Sequence, residues 1–99
     1  MSSLAAIALS GMSAAQLRLS AAGHNIANNS TPNFQPEVVD QSSVAGGGVQ
    51  ASLSQSPTAS NDLAANLVEE QSAVYAFKAN MRTVQAQKDM LGSLFDAFA

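Results

Sequence analysis

The sequence predicts a mainly α protein in which two long terminal helices form a coiled-coil-like hairpin, joined by a short loop or β-hairpin. With 99 residues, the chain has room for one small domain. Two observations carry the prediction. Apolar residues recur at steps of three and four near both ends, whereas residues 41–60 are uncharged and rich in Ser, Gly, Gln and Ala. We therefore divide the chain into an N-terminal helix and turn (1–34), a connector (35–60) and a C-terminal coiled-coil helix (61–99).

The first helix is predicted over residues 3–28. Its apolar positions keep one face of a helix apolar, and they are Leu4, Ala8, Met12, Ala15, Leu19, Ala22 and Ile26. Gly11 and Gly23 each cost about 1 kcal/mol relative to Ala in a helix. Either they allow another helix to approach closely, or they face solvent.

A turn is predicted directly after this helix. Asn25 and Asn28 can bond to the backbone groups that a helix end leaves open, and Pro32 prevents the helix from continuing. Thr31, Pro32, Asn33 and Phe34 would then redirect the chain. We expect Phe34 to anchor the turn on the C-terminal helix; the alternative is an ordinary surface turn with a loosely packed aromatic ring.

The C-terminal helix is the stronger prediction, over residues 62–96, with Ser60, Asn61 or Asp62 as its N-cap. Eight of ten positions in strict 4-3 alternation are apolar, in the row Leu63, Leu67, Glu70, Val74, Phe77, Met81, Val84, Lys88, Leu91 and Phe95. A second apolar flank runs beside it: Ala64, Val68, Tyr75, Ala79, Ala86, Met90 and Leu94. One partner helix cannot cover both, so apolar surface remains for association.

The connector has two interpretations. Valines on both sides of Gly46, Gly47 and Gly48 favour a β-hairpin, with Val49, Ala51 and Leu53 on one face. The same composition also fits a flexible linker.

Composition argues against several classes of function. The net charge is −3 and the four basic residues form no run, which disfavours nucleic-acid binding. The chain has no cysteine, a single histidine (His24) and adjacent Glu69 and Glu70 that diverge on a helix, so we predict no catalytic, cofactor or metal site. No apolar stretch is expected to be long enough to span a bilayer, so we predict no direct membrane insertion, and the N-terminus lacks the basic segment of a cleavable signal.

Two stretches resemble the axial proteins of the bacterial flagellum, and the short proximal-rod type in particular. Residues 8–19 followed by 25–34 are similar to the family's N-terminal helix and its Asn-Ile-Ala-Asn and Thr-Pro signature, with Asn33 in place of the usual Gly. Segments 62–64, 67–68, 77–80 and 88–91 resemble its C-terminal helix, and 46–49 its glycine turn.

The resemblance implies a non-enzymatic structural subunit of the flagellar basal-body rod. Such a subunit would lie in the periplasmic rod, reach it by type III export without a cleaved signal, and pack its helices against copies of itself or other axial proteins. The assembly residues would be the apolar positions of both helices. The alternative is a soluble adaptor or chaperone-like protein that binds partner helices of the flagellar export and assembly system.

Overall fold

The computed structural model describes residues 4–98, which form a helix, a β-hairpin and a second helix. Helix α1 is Leu4–Ala27, strand β1 is Glu37–Ser43, strand β2 is Val49–Gln55 and helix α2 is Leu63–Phe98. The two helices pack against each other, so the predicted mainly α helical hairpin is confirmed. Residues 1–3 and 99, at the outer ends of the predicted segments, lie outside the described residues.

Local hydrogen bonds set the inner end of each helix. At the end of α1, the backbone N–H and the side-chain amide of Asn28 both donate to the carbonyl of His24, at 3.1 and 2.9 Å. At the start of α2, the Asp62 carboxylate accepts the backbone N–H groups of Ala64 and Ala65, at 3.0 and 3.3 Å. Of the three candidate caps, Asp62 therefore fills the N-cap position.

The connector is a β-hairpin rather than a flexible linker. Strands β1 and β2 are antiparallel, with Glu37 opposite Gln55 and Ser43 opposite Val49. Residues 44–48 form the loop, which the Val44 N–H closes by donating to the Gly48 carbonyl at 3.0 Å. As predicted, Val49 and Ala51 point the same way and are partly buried, whereas Leu53 is exposed.

The hairpin needs a surface to lie on, and α1 provides it. The Ser10 hydroxyl accepts the Val49 N–H at 3.1 Å and itself donates to the Ile7 carbonyl. Gly48 has a φ of 97°, and a Cβ there would lie 2.8 Å from the Ser10 hydroxyl oxygen. Only glycine combines that backbone angle with such close approach, which explains the glycine at this end of the loop.

The core between the helices consists of alanines. Apart from Pro36, the buried apolar residues of the described chain are Ala8, Ala14, Ala15, Ala21, Ala22 and Ala73. Since alanine projects only a methyl group, the two helix backbones approach closely. Helix α2 is much the longer of the two, and the molecule is elongated, with extents of 63 × 24 × 13 Å.

Helix α1 is also long and apolar enough to cross a membrane by length and composition, with a hydropathy of 1.2 over its most apolar window. The expectation that no stretch reaches that length is therefore wrong. The core helix of a soluble protein and a signal sequence near the N-terminus pass the same test, and one face of α1 contacts α2 and the hairpin.

Candidate assembly site

Gly11 of α1 lies against the side chain of Asn80 of α2. A Cβ atom built on Gly11 would lie 2.7 Å from both the amide nitrogen and the amide oxygen of Asn80. The Asn80 amide also donates to the Ala76 carbonyl of its own helix at 2.9 Å, which fixes its orientation. Gly11 therefore faces the partner helix, whereas Gly23 has no atom within 4 Å of a built Cβ. The prediction that a glycine lets another helix approach closely therefore applies to Gly11, and the alternative, a glycine that faces solvent, applies to Gly23.

Further along the interface, a charged side chain joins the two helices. The Arg18 guanidinium donates from Nε to the Glu69 carboxylate and from Nη2 to the Ser72 hydroxyl at 3.0 Å. The Arg18 side chain is only 17% exposed, so its charge is held largely inside the contact. Because a guanidinium binds two acceptors in a fixed geometry, this pair sets the register between the helices.

The third contact is the polar centre of the fold, the side chain of Asn25. Asn25 is 4% exposed, and its amide oxygen accepts the Glu37 N–H at 2.8 Å while its amide nitrogen donates to the Glu37 carbonyl at 2.9 Å. Both backbone groups of one strand residue are thus satisfied by one side chain. The amide of Asn25 attaches the first residue of β1 to the last turns of α1.

Two more asparagines connect Asn25 to the start of α2. The Asn61 amide donates to the Asn25 backbone carbonyl at 2.8 Å, and the Asn66 amide donates to the Asn61 side-chain oxygen at 2.6 Å. Asn25 also approaches the Asn66 oxygen at 3.5 Å. The three amides therefore join α1, β1 and α2 at one point. The sequence predicts Asn25 as part of the turn and Asn61 as a candidate cap, but it does not predict that Asn25, Asn61 and Asn66 meet.

The turn after α1 is held by its own residues, as the Asn and Thr positions predicted. The Thr31 hydroxyl donates to the Asn28 side-chain oxygen at 3.1 Å, and its N–H donates to the Asn28 carbonyl at 3.0 Å. Asn33 has a φ of 58°, a left-handed angle that asparagine tolerates better than most residues. Pro32 is exposed, next to Asn33 at the tip of the turn.

Phe34 is half-buried and its ring lies 5.4 Å from the imidazole of His24, centroid to centroid. The ring contact between Phe34 and His24 joins the turn to α1, whereas we expected Phe34 to anchor the turn on the C-terminal helix. His24 also lies 3.6 Å from the Glu37 carboxylate. Among the described residues no group of three or more His, Cys, Asp or Glu side chains could hold a metal ion.

On α2 the row that faces the other helix lies one residue earlier than the predicted apolar row, and on α1 it keeps the predicted alanines but takes the preceding residue at the other positions. On α1 the row is Ala8, Gly11, Ala15, Arg18, Ala22 and Asn25, with Gly11, Arg18 and Asn25 in place of Met12, Leu19 and Ile26. On α2 the partly or fully buried row is Asn66, Glu69, Ala73, Ala76, Asn80, Thr83 and Gln87. One residue is a rotation of about 100°. The periodicity was right, but small and polar residues occupy the contact.

This displacement turns the large apolar side chains outward. Of the predicted assembly residues, Met12, Ile26, Val74, Phe77 and Val84 are half-buried beside the contact row. The others are exposed: Leu4, Leu19, Leu63, Leu67, Met81, Leu91 and Phe95. The second flank is also exposed at Val68, Tyr75, Met90 and Leu94. The fold itself therefore leaves most of the large apolar surface of α2 uncovered.

Residues 6–35, which span α1 and the turn after it, match the family model described as flagella basal body rod protein. The predicted family resemblance is confirmed. The matched segment contains Gly11, Arg18, Asn25 and the turn, so it coincides with the α1 side of the interface. No curated protein matches the chain. This match supports a structural role in the basal body and association with other axial proteins, and proteins of the matched family are in general non-enzymatic.

Proposed function

We propose that this protein is a structural subunit of the flagellar basal-body rod and assembles by packing its two helices against copies of itself or other axial proteins. In this proposal the protein lies in the periplasmic rod and is exported through the flagellar type III apparatus without a cleaved signal. The predicted apolar rows of α1 and α2 are the assembly surface, and the turn at residues 28–34 orients the hairpin relative to it.

The proposal rests on where the apolar residues lie: the small ones are buried, and most of the large ones are exposed. The described core is alanine, whereas large side chains such as Phe95 (70% exposed) face outward. A monomer in water gains little by this arrangement, because each large apolar side chain contributes to stability only when it is buried. An assembly of packed helices buries both faces of α2 at once.

The hairpin supports the same proposal, because it leaves α2 free. Both strands pack on α1, and in the described chain α2 contacts α1 alone among the other elements. The outward face of α2 is thus open along most of its length. A head-to-tail contact that uses one face of each subunit and does not close produces a helical filament, the form that a rod requires.

The test is cofractionation. A strain that expresses the chain with a small epitope tag in the hairpin loop, between Ala45 and Gly46, is used to purify hook–basal bodies, which are then probed for the tag. We expect the tag in intact basal bodies and in the rod that remains after ring proteins are removed. A tag found solely in the cytoplasmic fraction of a motile strain would contradict the proposal and favour the soluble adaptor.

A matched pair of variants tests whether the outward apolar row of α2 is the assembly surface. Leu67→Asp places a charge on the outward row of α2, and Ala65→Asp places one on an exposed position about 200° away around the same helix. We expect Leu67→Asp to abolish incorporation with unchanged helix content, and Ala65→Asp to have a much smaller effect. Equal incorporation of both variants would show that the apolar row is not the assembly surface.

A further inference from the structure

The last turns of α2 extend past the start of α1. The contacts Gly11–Asn80, Arg18–Ser72 and Asn25–Asn66 show that the helices are antiparallel, and they place Leu4 near Gln87. Every described residue from Lys88 to Phe98 is exposed. This end segment of α2, residues 88–98, is about 16 Å long at about 1.5 Å per residue.

The end segment has two faces of opposite character. Five large apolar side chains lie along one side: Met90, Leu91, Leu94, Phe95 and Phe98. All five are exposed, and Phe98 is the most exposed of them at 82%. A shallow polar groove runs along the other, lined by Gln85, Lys88, Asp89, Gly92, Ser93 and Asp96. An amphipathic helix of this kind gains stability when a second helix covers its apolar side.

The apolar side continues the row that contacts α1. With about 3.6 residues per turn, the row through Asn80 and Gln87 reaches Leu91, Leu94 and Phe98. Among residues 4–98, α1 therefore covers this row of α2 up to Gln87, and the row is exposed beyond it. The residues also change in size there, from alanine and polar side chains to leucine and phenylalanine. A small-residue helix like α1 would leave gaps against them, so the fitting occupant carries large apolar residues.

We propose that the end segment pairs antiparallel with the end segment of a second copy of this chain. Gln87, Leu91, Leu94 and Phe98 are separated by four, three and four residues. This spacing is the same from either end of the segment, so two antiparallel copies can align all four positions. An antiparallel pair centred between Gly92 and Ser93 places Leu91 opposite Leu94 of the second copy, and Phe98 opposite Gln87. The same register sets Met90 opposite Phe95, so all five apolar side chains meet apolar or amide partners.

Charge placement permits this pairing. Lys88, Asp89 and Asp96 lie on the polar side, facing away from the second copy, so no like charges meet in the contact. Because the contact is one short helical segment, it is smaller than the roughly 800 Å² per partner of a standard interface. The dimer is consequently weak and concentration-dependent. It covers the end of α2 while the protein is free, and this inference does not depend on the rod role.

Cysteine crosslinking of the full chain tests the orientation, since the natural chain has no cysteine. One protein carries Gln87→Cys and another carries Phe98→Cys; each is oxidised alone, and then the two are oxidised as a mixture. We expect a disulfide-linked dimer in the mixture and little in either protein alone, because equivalent residues lie about 16 Å apart along an antiparallel pair. Crosslinking of each protein to itself would indicate parallel pairing and overturn the proposal.

Sedimentation of full-length protein over a range of concentrations tests the surface. The natural chain should pass from monomer to dimer and stop there. Leu94→Asp should weaken the dimer about tenfold or more, as loss of a central interface residue does, while Ser93→Asp on the polar side should not. Helix content measured by circular dichroism should be unchanged in both. A chain that stays monomeric, or that continues to polymerise beyond the dimer, would overturn the proposal.

Discussion

The Asn80 side chain of α2 lies directly over Gly11 of α1, and a methyl group on Gly11 would require the Asn80 amide to move. A Cβ on Gly11 would come within 2.7 Å of the Asn80 amide, which is already bonded to the Ala76 carbonyl. Close approach at this point allows the alanines on either side to fill the interface. The contact also places Gly11, in the stretch that resembles the family's N-terminal helix, against Asn80, in segment 77–80, which resembles its C-terminal helix.

Gly11→Ala should destabilise the monomer, by about 1 to 3 kcal/mol, because the new methyl group overpacks a filled contact. The matched control is Gly23→Ala in the same helix, where a built Cβ meets no atom within 4 Å. There the gain in helix propensity, about 1 kcal/mol, should dominate and raise the stability. Urea unfolding followed by circular dichroism measures both. Stabilisation of similar size in the two variants would show that Asn80 does not constrain Gly11.

Asn25→Ala should cost about 2 to 4 kcal/mol, since it leaves the Glu37 N–H and carbonyl without their partner in a buried place. Its control is Asn29→Ala, an exposed asparagine in the following turn, which should change stability by less than about 0.5 kcal/mol. Hydrogen exchange adds a local readout, because amides of β1 should lose protection in Asn25→Ala before those of α2. Uniform loss of amide protection across the chain would argue against a local role of Asn25 in holding β1 on α1.

Asn33→Val should destabilise the turn, by roughly 1 to 2 kcal/mol, because a β-branched residue is strained at a φ of 58°. Asn33→Gly should be neutral or slightly stabilising, since glycine adopts this angle freely. Thermal unfolding of the two variants side by side separates backbone strain from loss of the asparagine side chain. Equal destabilisation would assign the effect to the side chain.

Ala73→Leu should destabilise the monomer more than Phe95→Ala does. This is the reverse of the usual result, in which truncation of a large apolar residue is the more destabilising change. Ala73 is 0% exposed between the helices, so added methylenes force them apart, at a cost of about 1 to 3 kcal/mol. Phe95→Ala should change monomer stability by less than about 0.5 kcal/mol. Measurements on dilute monomer avoid any contribution from association. A larger loss for Phe95→Ala would mean that its ring is already buried in the monomer.

Several elements could be predicted from the sequence because local rules determine them. Apolar periodicity predicted both helices to within a residue or two at their inner ends. The Asn and Pro residues after α1 predicted the turn, and the valines around the glycines favoured the hairpin. Asn33 stands where the family usually has Gly, and asparagine tolerates the left-handed angle found there. Each of these depends on neighbours in the chain, so the order of residues is sufficient evidence.

The tertiary structure alone decided which row of each helix faces inward. Periodicity gives the spacing of a row but not which of two adjacent rows meets the partner, and the large apolar row was the natural choice. Gly11, Ala73 and Asn80 instead allow the backbones to approach closely, which a row of leucines would prevent. The Asn25, Asn61 and Asn66 cluster has the same origin. Its three amides are distant in sequence, and only the antiparallel packing of α1 on α2 brings their hydrogen-bonding groups together.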